Sequence, residues 1–236
     1  MMNKARFWLK LSLFANILLL LSIGFMLRRL GGWKYALYKF RNDEAGLYTH
    51  RKQLFNLLPP PAAYIVFLGD SQTQEAEWRE IFGDSLPILN RGIVGDHVEG
   101  VWQRLDDVLK NKPSKLFLCI GINDLLLGKP LADIQKRYVD IVKKIRHDQP
   151  NTQLILQTVL PINNQVKQIG IDNDLVRALN AGIAQIAKDF ALPLVDIYTP
   201  LADAHNDLAT IYTDDGLHLN GQGYMVWKKA LAPFIF

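Results

Sequence analysis

Residues 64–74 read YIVFLGDSQTQ. Five apolar residues, mostly β-branched or aromatic, run into Gly-Asp-Ser and stop. This is the pattern of a strand buried on both faces that turns directly into a helix. A polar residue at such a turn has an ordinary use, since either Asp70 or Ser71 can cap the helix. It also has a chemical use, because the carboxyl ends of parallel strands are where α/β sheets bind their ligands. Which use applies to Ser71 depends on what else reaches the same edge.

Outward from this stretch, PIL (87–89), LFLCI (116–120), LILQTV (154–159) and LPLVDI (192–197) repeat the buried-strand pattern. Between them lie helix-period segments at 72–82, 97–110, 131–148 and 173–190, with a last one at 220–231. Val98, Val101, Trp102, Leu105, Val108 and Leu109, for example, share one helical face. Alternating strand and helix predicts an α/β domain with a parallel sheet and right-handed crossovers. No internal repeat or low-complexity tract interrupts it.

The polar clusters follow the strands. Gly69-Asp70-Ser71 comes after the first, Asn90 to Asp96 after the second and Gly121-Ile122-Asn123-Asp124 after the third, while Asp215-Gly216-Leu217-His218 precedes the last helix. Singly, each has a structural explanation: Asp70 or Ser71 as a cap, Gly92 and Gly95 as turn residues, Asn123 and Asp124 as caps of the next helix, Asp215 with His218 as a surface hydrogen bond.

Together they meet a chemical requirement. A serine hydroxyl needs a base to take its proton, and a histidine base needs a carboxylate to fix its tautomer. Asp215 and His218 stand three apart on one loop, so a single turn can bring them together. A tetrahedral oxyanion needs donors, and the Ser71 amide, the Gly92 amide and the Asn123 side chain offer three.

The four blocks, in this order and spacing, resemble the SGNH (GDSL-type) hydrolase family from Tyr64 to the C-terminus, with Ser71, Gly92, Asn123 and His218 as the four namesake residues. WREIF (78–82) and LNRGIVGD (89–96) look like the platelet-activating-factor acetylhydrolase type within it. The resemblance implies a flavodoxin-like three-layer sandwich around five parallel strands. It also implies Ser71 as nucleophile, His218 as base, Asp215 as its partner, an oxyanion hole of Ser71, Gly92 and Asn123, and no metal or organic cofactor. Asp70 is expected to support the nucleophile turn, and Asp96 to cap the 97–110 helix or brace the loop. Gln72 departs from the family's usual Leu or Ile after the serine.

The expected activity is hydrolysis of a carboxylic ester through an acyl-enzyme, with an O-acetyl group on a carbohydrate as one substrate class and a lysophospholipid or other lipid ester as another. An acyltransferase using the same intermediate and a catalytically silent binding module are the alternatives. The remaining histidines, His50, His97, His147 and His205, show no metal-like pairing. Trp78, Trp102 and the single cysteine, Cys119, read as core. Val159 to Asp174 either walls an acyl pocket or covers the sheet.

The charge is unevenly divided. Of 27 Lys and Arg and 23 Asp and Glu, residues 1–52 hold ten basic side chains against Asp43 and Glu44. That leaves 17 basic and 21 acidic residues in 53–236. The body is mildly acidic, which argues against a nucleic-acid surface.

The basic N-terminus brackets LSLFANILLLLSIGFML (11–27), with Lys4, Arg6 and Lys10 before it and Arg28 and Arg29 after it. Seventeen residues of helix span about 25 Å, which Phe7 and Trp8 extend towards bilayer thickness. Arginines follow directly and no Ala-x-Ala site is visible, so a retained anchor through residues 7–30 is favoured over a cleaved signal. Residues 31–61 are expected to form a juxtamembrane stalk, its early part mixing lysines with Trp33, Tyr35, Tyr38 and Phe40 as suits a headgroup region. Pro59, Pro60 and Pro61 end it, so the hydrolase domain is expected to run from 62 to 236. The charge flanks conflict over orientation, and an extracytoplasmic catalytic domain is the expectation.

Overall fold

The structure, a computed structural model, describes residues 4–29, 44–61 and 63–236. The aromatic stretch expected beside the anchor, Trp33 to Phe40, lies outside the described residues, as do Leu30 at the end of the expected span and Ala62. The chain forms two compact units, Met1–Leu47 and Tyr48–Phe236.

The first unit contains α1 (Lys4–Arg29) and the start of α2 (Glu44–Leu57). Within α1, Arg6–Phe25 has a mean hydropathy of 1.8 and none of its described residues is buried. Its serines and asparagine bond within the helix: Ser22 Oγ donates to the Leu18 carbonyl at 2.8 Å, and Asn16 Nδ2 reaches Ser12 Oγ at 3.5 Å. Among the described residues it is the one helix long and apolar enough to cross a bilayer.

The second unit is built on a five-stranded parallel sheet in the order β2-β1-β3-β4-β5, with β1 Ile65–Gly69, β2 Ile88–Gly92, β3 Lys115–Cys119, β4 Gln153–Gln157 and β5 Leu194–Val195. Successive side chains of each strand enter opposite cores. Val66, Leu68, Leu116, Leu118, Leu154 and Leu156 face α5 (Val98–Leu109), α7 (Leu131–Asp148) and α8 (Asn173–Asp189). Ile65, Phe67, Phe117, Cys119, Ile155 and Val195 face α4 (Trp78–Phe82) and α9 (Gly221–Ile235). Both faces are therefore dry, which is why the strands read as continuous apolar runs.

The second core is aromatic. Phe67 stacks on Trp78 at 4.4 Å and on Phe117 at 4.9 Å, and Trp227 meets Trp78 edge-on at 5.0 Å. The Trp227 N–H is satisfied inside by Gln157 Oε1 at 2.8 Å. Trp78 and Cys119 are core, as expected, and Trp102 packs against the other core beneath the Arg137 guanidinium.

Three local details differ from the sequence reading. The helix expected over 72–82 is two, α3 (Ser71–Gln74) and α4. The carbonyls a continuous helix would use are taken by side chains: Asn90 Nδ2 lies 3.0 Å from each of the Thr73, Gln74 and Ala76 oxygens, and Trp78 Nε1 donates to Thr73 O at 2.8 Å. Asp124 does not cap the helix that follows it. It lies inside the short α6 (Ile122–Leu126), and its Oδ2 accepts the first N–H of α5, from Val98, at 2.9 Å. Finally, the compact body begins at Tyr48, ahead of the proline run, because the second half of α2 packs against β2 and α5.

Candidate active site

At the end of β1 the helix cap is Asp70, whose Oδ1 accepts the Gln72 N–H at 3.0 Å. Ser71 is thereby relieved of capping. Its Oγ lies 3.0 Å from His218 Nε2, and His218 Nδ1 lies 2.8 Å from Asp215 Oδ2. The other Asp215 oxygen accepts the backbone N–H groups of Leu217 and His218, at 2.9 and 2.8 Å. One carboxylate thus sets both the turn and the ring. Burial pushes the Asp215 carboxyl up, but the bonds from the His218 ring and the two amides outweigh it and hold it at about 2.

The histidine loop is tied on both sides. The Gly216 N–H donates to Thr213 Oγ1 at 2.9 Å, and the Asn163 N–H donates to the Gly216 carbonyl at 2.7 Å. Gln72 Nε2 donates to Leu217 O at 3.0 Å, so the residue that departs from the family pattern joins the serine turn to the histidine loop. Sequence reading does not single out Glu75. Its Oε1 lies 3.9 Å from His218 Nε2, placing a second carboxylate beside the nitrogen that faces Ser71.

The expected donors divide. The N–H of Ser71 has no acceptor among the described residues. Asn123 Nδ2 donates one hydrogen to the Asp96 carbonyl at 2.8 Å, which orients the amide and leaves its second hydrogen. Gly92 does not fit its expected place: its N–H is given to Asn90 Oδ1 at 2.9 Å. Its lack of a side chain serves packing, since a Cβ there would sit 2.3 Å from the Gln74 nitrogen.

The following turn carries an amide that is left over. Ile93 N–H donates to Gly69 O, Val94 N–H to Gln74 Oε1, Asp96 N–H to Ile93 O and His97 N–H to Asp96 Oδ1. Among the described residues, the Gly95 N–H alone in this turn has no acceptor, at a φ of +74° that glycine adopts readily. The sequence shows both glycines; it does not show Asn90 claiming one of the two amides.

Behind the turn lies a buried charge network. Asp96 Oδ2 accepts from Arg104 Nε at 2.8 Å, both groups almost fully buried, and Arg104 Nη2 donates to Gly69 O at 3.1 Å. Asp96 therefore braces the loop, while His97 caps α5 through Nδ1. Burial raises the Asp96 carboxyl despite Arg104. Burial also pushes Asp70 up to about 7, against the Gln72 amide that favours its charged form, with Asp96 and Asp124 adding to the rise. Of the 159–174 segment, Leu160 and Ile162 enter the two cores, so this part covers the sheet.

Residues 67–226 match the GDSL-like Lipase/Acylhydrolase family. The chain belongs to it. A Streptococcus pneumoniae structure described as a platelet activating factor superposes with a TM-score of 0.76 at 27% identity, over 87% of this chain and 100% of that one. An acetyl xylan esterase shares the fold, with a TM-score of 0.62 at 22% identity over 73% of this chain and 100% of that one. Among curated proteins, an N-acylneuraminate cytidylyltransferase from Escherichia coli O18:K1:H7 (strain RS218 / NMEC) is 23% identical over 155 residues, 64% of this chain. The match spans only 36% of that relative's length. Fold and family thus agree with the resemblance read from the four blocks, and the chain falls among GDSL-like lipases and acylhydrolases.

Proposed function

We propose that this chain is a serine esterase that hydrolyses carboxylic esters through an acyl-enzyme on Ser71. The observation that carries the reading is the continuous path from Ser71 Oγ to His218 Nε2 at 3.0 Å and from His218 Nδ1 to Asp215 at 2.8 Å. As Ser71 Oγ bonds to the ester carbon, its proton passes to His218 Nε2. The carbonyl π pair moves onto oxygen, where Ser71 N–H, Gly95 N–H and the free Asn123 hydrogen receive it. The tetrahedral species collapses by breaking the bond to the alcohol oxygen, which takes the proton from His218. Water then repeats the sequence, giving the acid and free Ser71. Asp215 remains a carboxylate throughout, consistent with a value of about 2.

Short acyl groups are the proposed substrates, O-acetyl esters of a carbohydrate first, in line with the fold shared with an acetyl xylan esterase. A lipid ester is the second reading, favoured by the apolar helix Arg6–Phe25. That helix is proposed to anchor the chain in the bilayer, with the catalytic unit on the extracytoplasmic side. The test is hydrolysis of p-nitrophenyl esters from acetyl to lauroyl by the full chain in detergent, beside Ser71→Ala. Serine-dependent rates confined to short chains support deacetylation, and rates rising with length support the lipid reading. Turnover that persists in Ser71→Ala refutes the mechanism.

A further inference from the structure

The family match begins at residue 67, yet α2, which ends at Leu57, reaches the proposed oxyanion turn. β2 is an edge strand, so the backbone groups on its open side need partners from outside the sheet. Arg51 supplies one: its Nε donates to the Gly92 carbonyl at 2.6 Å. Phe55, one turn further along α2, lies under two guanidinium groups, those of Arg51 at 5.0 Å and of Arg91 in β2 at 4.4 Å. One turn earlier, the Tyr48 hydroxyl donates to Gly100 O at 3.3 Å in the first turn of α5. Three successive contacts on one helix face therefore grip the segment from Arg91 to Gly100 at both ends of the Gly95 turn.

Within that segment the position of the Gly95 amide follows from its neighbours. Ile93 and Val94 are bonded to Gly69 and Gln74, the Asp96 N–H closes the turn onto the Ile93 carbonyl, and Asn123 holds the Asp96 carbonyl. The Gly92 carbonyl, where the strand leaves the sheet, is held by a group outside the family-matched region. We propose that Arg51 is a positioning residue for the oxyanion turn, so that the helix before the hydrolase fold is a working part of its active site. This rests on the Ser71 esterase reading.

The test uses the full chain in detergent, with active sites counted by stoichiometric fluorophosphonate titration and kcat and KM measured on p-nitrophenyl acetate. Arg51→Met, which keeps the aliphatic stem and loses the donor, is expected to lower kcat per titrated site about tenfold with KM within about twofold, the pattern of a misplaced transition-state contact. Arg51→Lys, whose ammonium can still donate, is expected to recover part of the loss. Asn56→Ala on the same helix, which loses only an exposed bond to Asp107, is expected to match wild type. If Arg51→Met does not fold, Arg51→Gln takes its place with an expected loss of about threefold. Fewer titratable sites with unchanged kcat per site would show Arg51 to be merely structural and overturn the proposal. Turnover in wild type that does not depend on Ser71 would overturn the esterase reading and this proposal with it; an active wild type with unaffected Arg51 variants overturns the proposal alone.

Discussion

Replacing Asp70 by Asn tests the electrostatics behind the serine turn. Asp70 is 1% exposed, and burial pushes its carboxyl from 3.8 to about 7, the Gln72 amide opposing and Asp96 and Asp124 assisting. The folded state thus binds this proton more tightly than the unfolded chain. Its contribution is fully present below pH 4, falls as pH rises through the interval, and is lost above pH 7. Three pH units at about 1.4 kcal/mol each give a swing of about 4 kcal/mol between pH 4 and pH 8. Asn keeps an oxygen to accept the Gln72 N–H and has no proton to lose in this range. Urea unfolding of both proteins, followed by fluorescence of the buried Trp78 and Trp227, is expected to show Asp70→Asn gaining on wild type with rising pH. At about 2.5 kcal/mol per molar urea the midpoints shift relative to each other by about 1.5 M. A difference between the two proteins that stays constant within about 1 kcal/mol from pH 4 to pH 8 would refute the reasoning.

The two glycines of the second block are expected to fail differently when changed to alanine. Gly95→Ala, strained at a φ of +74°, should fold with kcat lowered by about 100-fold, whereas Gly92→Ala should lose stability, because its Cβ would meet the Gln74 nitrogen at 2.3 Å; unfolding curves and kcat per titrated site separate them. Arg104→Met leaves the Asp96 carboxylate buried without its partner and is expected to destabilise the fold by about 3 to 5 kcal/mol in urea titrations. Trp227→Ala removes a ring packed against Trp78 and Tyr224 and is expected to lose about 3 to 5 kcal/mol, with little change in KM for whatever protein remains folded.

The sheet was legible because both of its faces are covered: Ile65 to Leu68 and Leu116 to Ile120 are apolar at every position, and period-2 packing sends them into two cores. The pairing of Ser71, His218 and Asp215 was legible as chemistry, since each of those residue types needs the next. What the sequence hid was decided by side chains reaching across the chain. Asn90 breaks the 72–82 helix with its amide nitrogen and occupies Gly92 with its oxygen, and neither effect has a local periodic signature. Asp124 satisfies a helix start 26 residues earlier, where a local reading assigns it to the helix that follows. The proline run looked like a domain edge because it ends a helix, yet Arg51 and Tyr48 before it belong to the same compact unit as the sheet through contacts that only the fold brings about.

The central claim is that Ser71 becomes acylated. Rapid acid quenching of the full chain during turnover of p-nitrophenyl acetate, followed by peptide mass spectrometry, measures this directly. The account predicts an acetyl group on the Ser71 peptide, absent from Ser71→Ala and strongly reduced in His218→Ala. Steady turnover with an unmodified Ser71 peptide, or with the acetyl group forming on another residue, would contradict it.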